Sequence, residues 1–82
     1  MRVRVLYFAA VRDVTRLPEE PLELPGDVRT VGDFGSFLIA RYPGLAARLP
    51  ALRFARNEAF SDASEAVGDG DVIAVIPPVA GG

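Results

Sequence analysis

The residues best suited to chemistry are the last two, Gly81 and Gly82, which follow closely on two prolines, Pro77 and Pro78. Glycine has no Cβ, so a Gly-Gly terminus is thin enough to enter a narrow channel of another protein. Proline lacks the N–H that a strand ladder needs, which predicts that the chain leaves its sheet after Ile76. The pattern therefore predicts a projecting Gly82 carboxylate that reacts in a partner's active site. The alternative is a frayed end of small residues with no role.

Composition excludes most other kinds of site. The 82 residues predict one small domain, and they include no cysteine and no histidine. Disulfides, cysteine nucleophiles and the commonest metal ligand and general base are therefore absent, and we expect no bound metal or cofactor. The net charge of −2, without a basic run, argues against nucleic acid as a partner. No apolar segment approaches the length of about 20 residues that spans a bilayer, and no signal peptide opens the chain, so we expect a cytoplasmic protein.

Two segments read as central strands. Residues 2–8 and 72–76 both alternate, and both carry apolar side chains on each face. Residues 18–24 hold two prolines and predict an edge strand at best. Residues 9–17 break the alternation and predict a loop with room for one helical turn.

One helix is clearly predicted, over residues 30–42. Thr30 is a suitable N-cap and Asp33 stands where a capping-box acid would reach back. Apolar side chains recur at helical spacing, and Pro43 ends the helix. Residues 44–49 predict a second, short helix.

The order of these elements predicts the fold. Short strands at residues 52–55 and near Phe60, and a turn at residues 68–71, precede the last strand. This order fits an α+β fold of the ubiquitin-like β-grasp type, a mixed sheet of about four to five strands with one main helix packed on one face. We expect residues 1–76 to form that domain and residues 77–82 to form a flexible tail. Because the helix covers one face only, Leu6 or Phe8, Phe60 and Ile76 are predicted to form an exposed apolar patch beside the tail.

The chain also resembles the MoaD family, the small subunit of molybdopterin synthase. The resemblance is carried by the opening strand with Arg12, by residues 55–57, by the Gly-Asp turn before Val72 and by the Pro-Pro-Val-x-Gly-Gly ending. It implies a sulfur carrier whose terminal glycine, here Gly82, is adenylated, becomes a thiocarboxylate and gives sulfur to a molybdopterin precursor. The carrier itself would be non-catalytic.

The resemblance implies two partners. One is a MoeB-like adenylating enzyme that uses ATP and magnesium, and the other is a MoaE-like large subunit in a heterotetrameric synthase. Together, patch and resemblance give the following predicted partner-binding residues: Phe8, Arg12, Phe60, Ile76, Pro77, Pro78, Val79, Ala80 and Gly81.

Other readings stay open at this point. Sulfur carriers for thiamin synthesis or tRNA thiolation share the fold and the Gly-Gly end, although the Pro-Pro-Val-x-Gly-Gly tail favours the molybdopterin branch. A ubiquitin-like protein modifier, with Gly82 joined to lysines, and a plain interaction domain with an idle tail are the remaining alternatives.

Overall fold

The computed structural model describes residues 1–48 and 52–78, which form five strands and three helices. In chain order these are β1 (Arg2–Tyr7), α1 (Ala10–Thr15), β2 (Glu19–Glu23), α2 (Val31–Arg41), α3 (Gly44–Arg48), β3 (Arg53–Arg56), β4 (Ala59–Phe60) and β5 (Val72–Ile76). The predicted tail beyond Pro78 lies outside the described residues.

The five strands form one mixed sheet in the order β2-β1-β5-β3-β4. β1 and β5 pair in parallel at its centre, and the other neighbours are antiparallel. Parallel pairing needs a long crossover, and the segment between these strands contains α2. The predicted β-grasp and both central strands are confirmed. The weak strand before the main helix is indeed at an edge, where Pro21 needs no outer partner.

One face of the sheet, the closed face, packs on α2. Alternation turns Val5 and Tyr7 of β1 and Ile73 of β5 toward the helix, and each is at most 1% exposed. Phe34 and Leu38 of α2 pack against this face and are fully buried. This single layer of helix on sheet is the core, as the apolar stripe of α2 predicts.

The caps of α2 are those that the sequence predicts. The Thr30 hydroxyl accepts a hydrogen bond from the Asp33 N–H at 3.1 Å, and the Asp33 carboxylate accepts from the Thr30 N–H at 3.1 Å. Backbone donors at Arg29 and Thr30 lower the pKa of Asp33. α2 packs close to β3 at Gly35, where a Cβ would be in van der Waals contact with the Phe54 ring at 3.4 Å.

A partly buried carboxylate lies at the other end of α2. Glu20 accepts hydrogen bonds from the hydroxyls of Tyr7 at 2.6 Å and Tyr42 at 2.5 Å, and Arg41 lies 3.6 Å away. Burial raises the pKa of Tyr7, and the bond to Glu20 raises it further. Both tyrosines therefore act as neutral donors: Tyr42 links the end of α2 to the edge strand β2, and Tyr7 links β1 to β2.

Several boundaries differ from the sequence predictions, and β1 and β2 are shorter than the predicted residues 2–8 and 18–24. Residues 9–17 are more than a loop, because α1 occupies six of them. Val11 and Thr15 are both buried, one helical turn apart. The Thr15 hydroxyl is satisfied by hydrogen bonds with the Leu17 backbone. Because Thr15 is polar, the sequence does not show an apolar stripe at this spacing. β3 also begins and ends one residue later than predicted.

Candidate functional site

The other face of the sheet, the open face, carries a row of apolar side chains that none of the helices in residues 1–48 and 52–78 covers, although Ala55 within the row is buried by its neighbours. Strand register places Leu6 opposite Ala74, Ala74 opposite Ala55, and Ala55 opposite Phe60. Side chains in register on adjacent strands are direct neighbours. We call these four residues the apolar row. It crosses four strands without interruption.

The predicted patch residues lie on or beside this row. Phe60 is 60% exposed and Phe8 is 42% exposed, whereas Leu6 and Ile76 are half-buried. Ile76 shares the open face with Ala74, two residues earlier in β5. Phe8 follows the end of β1, and its N–H donates to the Val75 carbonyl at 3.4 Å. The structure thus brings Phe60 and Ile76 to one face and Phe8 to the end of the sheet where β5 stops.

Charged side chains border the apolar row. Arg2 pairs with Glu23 at 3.2 Å and Arg4 with Glu19 at 3.5 Å, all of them exposed. On the opposite side, the Arg53 guanidinium lies over the Phe60 ring, 4.4 Å from its centroid. The open face is therefore apolar in the middle and charged at its margin, a pattern typical of protein interfaces.

The tail leaves the sheet at the same margin. Ile76, the last residue of β5, lies opposite Arg53 of β3. Pro77 is half-buried and Pro78 is exposed, so the chain reaches the surface within two residues of the ladder's end. The predicted residues Val79, Ala80, Gly81 and Gly82 lie outside the described part of the chain.

Arg12 lies at this end of the sheet as well. It belongs to α1, and its Nε donates to the carbonyl of Tyr7, the last residue of β1, at 3.4 Å. Tyr7 is opposite Val75 in the central parallel pair, so Arg12 is near the point where the tail departs. Its predicted part in partner binding stays a prediction.

The start of β5 is held by a polar cluster that no sequence pattern indicated. Asn57 donates to Asp71 at 3.0 Å and accepts from the Val72 N–H at 2.9 Å. Asp71 also accepts from the Gly68 N–H at 2.7 Å and from Arg56 at 3.3 Å. These residues join the β3–β4 turn to the turn before β5. We call Arg56, Asn57 and Asp71 the turn clasp.

Electrostatics and backbone shape explain the residue types of the turn clasp. Burial on its own would raise the pKa of Asp71, but the donors at Gly68 and Asn57 and the charge of Arg56 outweigh it and lower that pKa. Asn57 and Glu58 have φ angles of 50° and 72°, which define a tight hairpin turn. Asparagine tolerates that conformation better than most residues. The Arg56-Asn57 pair thus shapes the fold, 15 and 14 residues before its partner.

Within residues 1–48 and 52–78, no three histidine, cysteine, aspartate or glutamate side chains converge as metal ligands would. In that same part of the chain, no helix has the length and apolarity needed to cross a membrane. A groove of about 730 Å³ runs between α2 and the β3–β4 edge, and its lining includes Gly32, Gly35, Phe54 and Phe60.

Comparison with known proteins fits this architecture. The model of the ThiS family matches residues 5–82. The chain therefore belongs to the ThiS family, whose solved relatives include ubiquitin-like sulfur carriers. It is 38% identical to the molybdopterin synthase sulfur carrier subunit of Chlamydomonas reinhardtii, with all of both chains covered. It is 37% identical to the protein of the same name from Mycobacterium tuberculosis, covering 100% of this chain and 99% of that one.

A solved structure extends the comparison. The small archaeal modifier protein 1 of Haloferax volcanii superposes with a TM-score of 0.80 at 27% identity, covering 95% of this chain and 98% of that one. The resemblance to the molybdopterin synthase small-subunit family that the sequence predicts is thereby confirmed, as is the ubiquitin-like fold.

Proposed function

We propose that this chain is the sulfur carrier subunit of a molybdopterin synthase and carries sulfur on the carboxylate of Gly82. The observation that carries the proposal is the full-length match to relatives of that name at 38% and 37% identity. The path of β5 supports it, because the strand ends at Ile76 and Pro77 and Pro78 lead to the surface. The apolar row next to this exit supplies a surface for a partner.

The proposed reaction needs little from the carrier itself. A carboxylate is a poor electrophile, so a MoeB-like enzyme would join Gly82 to AMP from ATP, with magnesium, and release pyrophosphate. Sulfide-level sulfur from a donor protein then attacks the acyl carbon, so that a C–S bond forms and AMP leaves. The resulting thiocarboxylate attacks a molybdopterin precursor through sulfur, and water then cleaves the acyl C–S bond, which leaves the sulfur on the precursor and restores the Gly82 carboxylate. No acid or base of the carrier takes part, which fits a chain with no histidine and no cysteine.

The carrier's contribution is position. The tail must extend a fixed distance from a rigid body, because a reacting group gains most when it is held in the correct place. The apolar row, with Ile76 and Phe8 beside it, would dock on a MoaE-like large subunit. Val79, Ala80 and Gly81 would then thread its channel, where a Cβ at position 81 or 82 would obstruct entry. Two carriers and two large subunits would form the heterotetramer.

A second function has a specific observation in its favour. The similar Haloferax volcanii structure is of a small archaeal modifier protein, so Gly82 could instead be joined to lysines of other proteins. A sulfur carrier for a different thiolation pathway is a variant of the first proposal. The state of the C-terminus in cells distinguishes them: free thiocarboxylate for a carrier, and conjugates of higher mass for a modifier.

The proposal is tested by sulfur transfer in vitro. The protein is incubated with a MoeB-like enzyme, ATP, magnesium and a sulfur donor, and intact mass is recorded. We expect one oxygen to be replaced by sulfur. A control with one alanine appended after Gly82 should gain none, because its carboxylate lies one residue beyond the required reach. Sulfur gained by the extended protein, or none gained by the intact one, would overturn the proposal.

A further inference from the structure

Three arginines border the apolar row, and two of them are already neutralised. Arg2 and Arg4 each pair with a glutamate of β2. Arg53 differs, because within residues 1–48 and 52–78 no carboxylate oxygen lies within 4.0 Å of it. Asp62 lines the same groove as Arg53 without forming an ion pair with it. In the described part of the chain, Arg53 is therefore the cation of the open face that no carboxylate neutralises.

Two neighbours, Phe60 and Ile76, define where Arg53 lies on the open face. Its guanidinium lies over the Phe60 ring at 4.4 Å, a cation–π contact that orients the planar group. Along the neighbouring strand, Arg53 is opposite Ile76, where the tail begins. A protein that covers both Phe60 and Ile76 must therefore cover Arg53 as well.

Covering a charge without a partner is costly. A guanidinium withdrawn from water needs an acceptor, because an unpaired buried charge is strongly unfavourable. The Phe60 ring can satisfy one face of the group but none of its N–H donors. A carboxylate satisfies both the charge and the fork of donors, and does so with two parallel hydrogen bonds.

We infer that Arg53 is a specificity-determining residue of the docking face, which selects a large subunit bearing an aspartate or glutamate against Arg53 at the base of the tail channel. The inference rests on the proposed function. It adds the chemistry by which the carrier distinguishes its own large subunit from one that offers only an apolar surface there. Such pairs act through specificity and association rate as much as through affinity.

The test measures binding of the full chain to its large subunit by calorimetry, for wild type, Arg53→Glu, Arg53→Lys and the control Arg29→Glu. Arg29 is exposed, lies before α2 on the other side of the sheet, and undergoes the same change of charge. We expect Arg53→Glu to weaken binding about tenfold or more at about 0.05 M salt, with a smaller gap at about 0.5 M. Arg53→Lys should lie between, and Arg29→Glu should match wild type.

Each outcome is decisive. Circular dichroism should show all variants folded, since Arg53 is exposed. Equal or tighter binding by Arg53→Glu would overturn the inference. So would an altered rate of thiocarboxylate formation with unchanged binding, because Arg53 would then be acting on the chain's own carboxylate. Failure of the proposed function looks different: wild type itself would take up no sulfur and bind no large subunit.

Discussion

The two ends of β5 are held by different means. At Val72 the strand is fixed from outside, since Asn57 accepts its N–H while bonding to Asp71, and Arg56 and the Gly68 N–H complete the turn clasp. At Ile76 the ladder ends, and Pro77 and Pro78 lead to the surface. The first end thus serves folding and the second serves the proposed reaction. The five-residue strand β5 therefore has one end held by hydrogen bonds and another end from which the tail leaves the sheet.

The contrast is sharpest between two isoleucines of β5. Ile73 is 0% exposed on the closed face, whereas Ile76 is half-buried on the open face. We expect Ile73→Asp to unfold the protein, because it places an unpaired charge in the core. Ile76→Asp should stay folded, as circular dichroism would show, yet lose most binding to the large subunit in calorimetry. An unfolded Ile76→Asp protein would mean that Ile76 belongs to the core.

Removing the carboxylate of the turn clasp should give the next largest effect. Asp71→Ala leaves Arg56, Asn57 and the Gly68 N–H without their acceptor, and we expect a loss of about 3 kcal/mol in unfolding free energy. Asp69→Ala is the matched control, since Asp69 is exposed and accepts one hydrogen bond, from the Arg2 N–H. It should cost about 1 kcal/mol or less. Equal losses in urea unfolding would show that the turn clasp adds nothing.

Asn57 combines two contributions that substitution can separate. Asn57→Ala removes its bonds to Asp71 and Val72 and also strains a residue at φ 50°, for an expected loss of about 2–3 kcal/mol. Asn57→Gly removes the same bonds without the strain and should be about 1 kcal/mol more stable than the alanine variant. If chemical denaturation ranks the two variants the other way, turn strain is not part of the anchor.

The smallest effect concerns pH. The pKa of Asp71 is lowered from 3.8 in the folded protein, so its ionised form stabilises the fold above that value. This stability is lost as the pH falls below 3.8 and through the lower, folded-state pKa. The advantage of wild type over Asp71→Asn in melting temperature should therefore be constant near neutrality and shrink below pH 3.8. An advantage that persists unchanged in acid would contradict the assigned role of the Asp71 charge.

Local sequence patterns correctly predicted the features that depend on residues close together in the chain. The two-sided apolar alternation of β1 and β5 placed both strands at the centre, and Thr30 with Asp33 fixed the start of α2. Both depend on residues within a few positions of one another. For residues 9–17 the pattern predicted only a loop with one helical turn, because Thr15, a polar residue, supplies part of the buried stripe of α1.

The rest of the site depends on contacts between distant residues. The turn clasp links Asn57 to Asp71 across 14 positions, and no periodicity indicates that pairing. The Arg53–Phe60 contact requires the β3–β4 register, and β4 has only two residues to reveal it. The roles of Phe8, Arg12 and the tail remain predictions, since they concern partners.

The central claim is that Gly82 serves the reaction and not the fold. Deleting Gly82 and recording both melting temperature and intact mass, after incubation with the adenylating enzyme, ATP, magnesium and a sulfur donor, tests it directly. The account predicts a melting temperature equal to that of wild type and no gain of sulfur, because the carboxylate no longer has the required reach. A truncated protein that still gained sulfur, or one that melted several degrees lower, would contradict it.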